Sequence, residues 1–182
     1  NNINYNNLIQ LSNKHPRVSI HNASIGVGGH CIPVDPYFLI NKNDHYFSLI
    51  KLSRKINENK PLHVIDKIKK YIITNKINSI CFFGLTYKEN IDDFRNSPAL
   101  KIVNKIQKFF PKKDLSVVEP FLNKKKVLEA RLRIINHKDI NTIFKNDLII
   151  FLVGHKKFKD IFNHLKTNHP NVINFINNPY DN

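Results

Sequence analysis

Apolar positions change rhythm along this chain, and the change divides it. Leu8, Ile9 and Leu11 fall at near-helical spacing before Pro16, and a proline forbids the preceding residue from continuing a helix. Residues 1–14 therefore read as the tail of a helix. Residues 18–29 mix small and polar side chains with Gly26, Gly28 and Gly29, the composition of a loop with unusual backbone angles. Beyond Pro33 and Pro36, Tyr37 to Ile40 and then Phe47, Leu49, Ile50, Leu52 and Ile56 suit a helix. Pro61 is expected to begin a second one, in which Leu62, Ile65, Ile68, Ile72 and Ile73 recur every three or four residues. Lys67, Lys69 and Lys70 take its solvated side.

After Asn78 the pattern turns to short apolar runs separated by helices. Residues 79–85 (SICFFGL) read as a buried strand, and Ser97-Pro98 places a cap and a first-turn proline before Ala99, Leu100, Ile102, Val103 and Ile106. Residues 114–118 and 147–153 are further strands, 172–176 a fourth, 140–144 a short helix, and 127–135 is ambiguous. Strands alternating with helices predict an α/β fold, a Rossmann-like open parallel sheet covered on both faces, preceded by a helical segment. The boundary is expected between residues 75 and 78, giving domains 1–76 and 77–182. Ligands of such sheets bind beyond the strands' carboxyl ends, so the loops after Leu85, Val118 and Val153 are the ones to watch.

Composition narrows the class. No apolar run approaches the roughly 20 residues that span a bilayer, so no membrane insertion is expected. Cys31 and Cys81 offer neither a disulfide framework nor a paired-thiol metal spacing, which suits a reducing, cytoplasmic setting. The net charge of +15 raises the question of nucleic acid, but the lysines are scattered over every segment rather than gathered in a stripe. No specific nucleic-acid partner is expected; an anionic ligand such as a pyrophosphate fits the charge.

Three segments carry chemistry. In residues 26–39 (GVGGHCIPVDPYFL) a lone cysteine follows a glycine-rich turn, with Asp35 four residues on. Exposed backbone N–H groups there favour a thiolate or an oxyanion, as covalent chemistry on a carbonyl requires; a small buried hydrophobe is the competing reading of Cys31. His30 reads as an exposed loop residue. Residues 84–100 (GLTYKENIDDFRNSPAL) lie between a strand and a helix, where a phosphorylated ligand meets a helix N-terminus. Lys88 and Arg95 are placed to grip phosphates, or else form surface pairs with Asp92 and Asp93. In residues 117–120 (VVEP), Glu119 stands at a strand's carboxyl end, where a dinucleotide site holds its ribose-binding acid.

These segments, with residues 13–18 (NKHPRV), 49–61 (LIKLSRKINENKP) and 152–158 (LVGHKKF), resemble the UDP-glucose/GDP-mannose dehydrogenase family in order and approximate spacing. The resemblance implies a four-electron oxidation of a UDP-sugar at C6, from alcohol to carboxylate, with NAD as oxidant. Cys31 then corresponds to the nucleophile that forms a thiohemiacetal and a thioester, and Asp35 to a residue that positions or deprotonates water. Gly26, Gly28 and Gly29 correspond to residues wrapping the sugar, Lys88 to a substrate-binding lysine, and Arg95 to a substrate-binding or loop-holding arginine. Arg17 corresponds to an arginine reaching across a homodimer interface to the neighbouring subunit's nucleotide sugar. The GHC and VDP elements suit the N-acetylhexosamine branch, with UDP-N-acetylmannosamine the expected substrate and UDP-N-acetylglucosamine or UDP-glucose the alternatives.

The departures from the family pattern are also informative. Residues 23–25 (ASI) replace a Pro-Gly-Pro-like lead into the glycine loop, and Glu89, Asn96 and Gly154 stand where Pro, Glu and Asp are common. The Rossmann glycine fingerprint has no counterpart in these residues, so the NAD site is expected mainly on a missing N-terminal half. The chain alone is expected to be inactive. A noncatalytic nucleotide-sugar-binding or dimerisation module and a basic nucleic-acid-binding domain are the rival readings.

Overall fold

The computed structural model describes residues 5–40, 45–121 and 132–176. Helices α1 (Tyr5–Ser12), α2 (Pro36–Leu39) and α3 (Ser48–Thr74) lead into β1 (Ser79–Phe83), α4 (Pro98–Phe109) and β2 (Asp114–Val118). Next come β3 (Arg133–Ile134), α5 (Ile140–Phe144), β4 (Leu148–Phe151), α6 (Lys159–Asn168) and β5 (Val172–Asn174). The strands form one parallel sheet in the order β3-β2-β1-β4-β5. The expected α/β class and open parallel sheet are thus present, with β3 as a fifth, edge strand from the ambiguous stretch; residues 127–131 of that stretch lie outside the described residues.

Side-chain alternation distributes the core over both faces. Ile80, Phe82, Val117 and Ile150 point toward α3 and α4, whereas Cys81, Phe83, Val118, Ile149 and Phe151 point toward α5 and α6. On the second face Phe83 stacks on Phe151 at 4.4 Å between ring centroids and meets Phe158 edge-on at 5.0 Å. Each such fully buried ring contributes about 1.5–3 kcal/mol.

One helix differs from expectation. Pro61 does not begin a helix; α3 runs through it from Ser48 to Thr74. A proline inside a helix lacks the N–H that the carbonyl four residues earlier would accept. Here the ring is buried, and its Cγ lies 3.4 Å from where a Cβ on Gly26 would stand. It packs where a helix start would leave it solvated. Around Pro61 the helix changes surroundings: Leu49, Leu52 and Ile56 are exposed, whereas Val64, Ile65, Ile68 and Ile72 enter the core under the sheet. The apolar run from Tyr37 is likewise not one helix, since α2 ends at Leu39 and a 3-10 turn at His45–Phe47 precedes α3; residues 41–44 lie outside the described residues.

Strand register levels the ends that matter. Phe83 pairs with Val118 on one side and Phe151 on the other, so the chain leaves β1, β2 and β4 at one height. Between β1 and β4 the direction of the crossovers reverses, the switch point at which open sheets of this kind hold ligands. Gly84 makes the close turn there, with φ +85° and no room for a Cβ, which would lie 2.5 Å from Cβ of Val153.

Candidate functional site

Two motifs distant in sequence, residues 26–39 and 84–100, dock on each other. Gly29 N–H donates to the carbonyl of Arg95 at 3.0 Å, and Asn96 Nδ2 donates to the carbonyl of Gly29 at 2.9 Å. A Cβ on Gly28 would stand 2.5 Å from the Asn96 carbonyl oxygen and 2.9 Å from Cβ of Tyr87. Gly29, at φ +98°, lies against the Tyr87 ring. Glycine is required here because the backbone of one loop rests directly on the other. From below, Asn57 of α3 clamps the loop, accepting from Val27 N at 2.7 Å and donating to Val27 O at 3.0 Å.

The docked loop carries Cys31 at its exposed end. The Cys31 carbonyl accepts from the N–H groups of Val34 (2.9 Å) and Asp35 (2.8 Å), closing the turn that leads into α2. Nδ1 of His30 lies 2.8 Å from Sγ of Cys31. The exposed loop histidine is thus also the thiol's neighbour. Asp35 stands at the N-cap position of α2 without a side-chain capping bond, exposed and one turn from the thiol. Cys81 differs entirely: it lies inside β1, and burial pushes its thiol up to about 12.

Arg95 holds its own loop. Its Nε donates to both oxygens of Asp93 (3.1 and 3.0 Å) and Nη2 to Oδ2 at 2.6 Å. These bonds hold the Asp93 carboxyl down at about 2 and raise the guanidinium. Lys88 is exposed on the same loop, its carbonyl accepting from Oγ1 of Thr86 at 2.8 Å. Arg17 is exposed on the segment after α1, where its N–H donates to Nδ1 of His15 at 3.3 Å. The fold therefore brings Gly26, Gly28, Gly29, Cys31 and Arg95 into one docked pair of loops, with Lys88 on the same segment as Arg95. Among the described residues, Arg17 makes no hydrogen bond to these loops.

Glu119 does not face a ribose. Its Oε2 accepts from Leu85 N–H at 2.7 Å and lies 3.2 Å from Nε2 of His155, while Oε1 accepts from Phe121 N–H at 3.0 Å. With both oxygens engaged and the side chain buried, it ties the ends of β1, β2 and β4 together. His155 and Asn57 carry geometry that the sequence pattern did not signal. Asn57 reads there as one more polar position on a helix, and His155 as part of a strand-end motif.

A cleft of about 610 Å³ opens behind the cysteine loop, between α2, α3 and α4, and Pro33, Tyr37, Arg54, Glu58 and Lys101 line it. Tyr37 donates to Glu58, and Arg54 lies over the Tyr37 ring. Among the described residues, no group of three or more His, Cys, Asp or Glu is placed to hold a metal ion, and no helix is long and apolar enough to cross a membrane.

Comparison with known proteins agrees with this geometry. Residues 1–59 match the central domain of the UDP-glucose/GDP-mannose dehydrogenase family, and residues 81–179 match its UDP binding domain. A UDP-N-acetyl-D-mannosamine dehydrogenase of Campylobacter jejuni is 39% identical over 165 residues, covering 87% of this chain and 39% of that protein. An NDP-N-acetyl-D-galactosaminuronic acid dehydrogenase of Ralstonia solanacearum is 38% identical over 156 residues, covering 85% and 36%. The solved UDP-N-acetyl-mannosamine dehydrogenase of Staphylococcus aureus superposes with a TM-score of 0.74 at 34% identity, covering 97% of this chain and 40% of that one. The chain thus spans about two fifths of the length of these relatives. With both of its halves matched in order, the chain belongs to the UDP-glucose/GDP-mannose dehydrogenase family.

Proposed function

We propose that this chain is the covalent-catalysis and nucleotide-sugar portion of a nucleotide-sugar 6-dehydrogenase acting on UDP-N-acetylmannosamine, with UDP-N-acetylglucosamine or UDP-glucose as the alternative substrates. The observation that carries the reading is the docking of the cysteine loop on the loop of Lys88 and Arg95. It brings the proposed covalent centre and the proposed anion-binding segment together through direct backbone contacts. Segments 1–76 and 77–182 then act as a cysteine-bearing central part and a UDP-sugar part, joined through α3.

Lys88 supplies the exposed ammonium for the diphosphate, and Arg95, whose side chain is 61% exposed although paired with Asp93, adds positive charge on the same loop. Gly26, Gly28 and Gly29 belong to the loop that wraps the sugar. Once C6 is an aldehyde, the Cys31 thiolate adds to it, forming a C–S bond while the carbonyl oxygen takes a proton. After oxidation to the thioester, water directed by Asp35 cleaves that bond and returns the thiol. His30 is placed to take and return the thiol proton.

NAD does not fit the described residues. A dinucleotide site needs a glycine-rich phosphate turn and a free acid at the strand ends, and here Glu119 is already engaged and His155 fills the switch point. The hydride acceptor therefore belongs to residues other than these, and both hydride transfers are left to them. That same observation favours a second reading, a noncatalytic nucleotide-sugar-binding or dimerisation module. A cytoplasmic homodimer, with Arg17 serving the neighbouring subunit, and the absence of a specific nucleic-acid partner complete the proposal.

Complementing the chain with an NAD-binding domain of the same family tests it. UDP-N-acetylmannosamine should be oxidised to the uronic acid, and Cys31→Ser should abolish acid formation. Full turnover by Cys31→Ser would remove the covalent assignment, and no turnover by the complemented wild type would favour the noncatalytic module.

A further inference from the structure

Lys88 sits between two tethers, and both lead to one buried imidazole. On the near side, Thr86 Oγ1 donates to the Lys88 carbonyl at 2.8 Å and lies 3.2 Å from Nε2 of His155. On the far side, Asn90 N–H donates to Nδ1 of His155 at 2.9 Å, while Asn90 Oδ1 accepts from Lys156 N–H at 2.8 Å. Asn90 takes φ +59°, a left-handed backbone that asparagine adopts more readily than other side chains. The His155 side chain is completely buried, its ring edge to face with Phe158 at 5.1 Å and tilted against Phe121 at 5.1 Å.

The donors fix the tautomer. A backbone N–H can only donate, so Nδ1 of His155 carries no proton, and the neutral ring bears its proton on Nε2, facing Glu119 and Thr86. Glu119 is anchored in turn by backbone N–H groups just after β1, at Leu85, and just after β2, at Phe121. The geometry points to His155 as a positioning residue for nucleotide-sugar binding. Oriented by Glu119, its Nδ1 and Nε2 set the backbone of residues 86–90 and hence where the Lys88 ammonium is presented. This inference rests on the reading that Lys88 binds the diphosphate. It assigns the His155–Glu119 pair, at the point where open sheets hold ligands, to shaping the neighbouring loop.

Two substitutions separate the ring's two functions. In His155→Asn the amide oxygen replaces Nδ1 and still accepts from Asn90; in His155→Gln the amide nitrogen replaces Nε2 and still reaches Glu119, but Asn90 loses its acceptor. The purified chain is titrated with UDP, and amide hydrogen exchange is followed at Asn90 and in the sheet. His155→Gln should bind UDP about tenfold more weakly, as loss of one buried backbone tether predicts, and exchange faster at Asn90 with the sheet amides unchanged. His155→Asn should stay within about threefold of wild type on both readouts.

A role in bulk stability alone would weaken both variants together and expose the sheet amides, overturning the inference. Wild-type affinity in His155→Gln, with Lys88→Ala weakened, would overturn it while leaving Lys88 in place; wild-type affinity in Lys88→Ala would overturn the Lys88 assignment itself. Should the wild-type chain not bind UDP, the Lys88 assignment falls and the positioning role that rests on it falls with it. Thr86→Val, which removes the near tether without changing shape, serves if the histidine variants do not fold: weaker UDP binding supports the inference and unchanged binding overturns it.

Discussion

Cys31 and Cys81 differ in every property that governs a thiol's reactivity. Cys31 is exposed beside an imidazole, whereas Cys81 is enclosed by the sheet with its thiol pushed to about 12. At pH 8 such a thiol is ionised in only about one molecule in 10⁴. The native chain should therefore consume one equivalent of a thiol reagent within minutes and a second only on unfolding; mass mapping of the label to Cys81 in the native state would contradict this. Asp93 gives a pH prediction. Its folded value is depressed by Arg95, so the pair's stabilisation is fully present above the ordinary carboxylate value near 3.8 and is lost as pH falls toward about 2. An NMR carboxyl titration should give a midpoint near 2, returning toward 3.8 in Arg95→Gln; a wild-type midpoint near 3.8 would deny the pairing. Cys31, Lys88 and the three glycines were legible because each sits in a motif with a chemical reason. Asn57, Tyr87 and His155 were not, because their partners are distant in sequence and only the fold makes them neighbours.

At the scale of elements, local rules worked where local forces decide. Ser97 and Pro98 announced α4, and Ser97 Oγ does accept from Leu100 N–H at 3.2 Å while donating to the Leu85 carbonyl at 2.6 Å. Ser97→Ala should lower stability by about 1–2 kcal/mol in chemical denaturation, from the lost cap and the buried carbonyl left unpaired; a change below about 0.3 kcal/mol would show the cap to be dispensable. Pro61 reads as a helix start because proline favours the first turn, but it lies buried inside α3, close to Gly26, which is 35 positions earlier. The stretch holding β3 stays ambiguous in sequence because two exposed residues, Arg133 and Ile134, leave no alternation to detect. The apolar runs of β1, β2 and β4 were plain, since burial on both faces demands continuous hydrophobicity.

At the scale of the whole molecule, the parallel sheet follows from strands alternating with helices, whereas its order β3-β2-β1-β4-β5 is seen only in the fold, and the levelled strand ends gather the chemistry along one edge. The apolar residues of the first third are largely uncovered: Ile32, Phe38, Tyr46 and Leu49 are each at least 70% exposed, whereas those of β1 and β4 are fully buried. Exposed apolar surface of that kind is typical of association sites, which supports the proposed homodimer. The measurement that tests the central claim most directly is calorimetric titration of the purified chain with UDP-N-acetylmannosamine, with NAD⁺ and single-stranded DNA as comparison ligands. Saturable binding of the UDP-sugar that Lys88→Ala weakens at least ~10-fold, with NAD⁺ silent, is the predicted result. Salt-sensitive binding of DNA with no response to the UDP-sugar would contradict it.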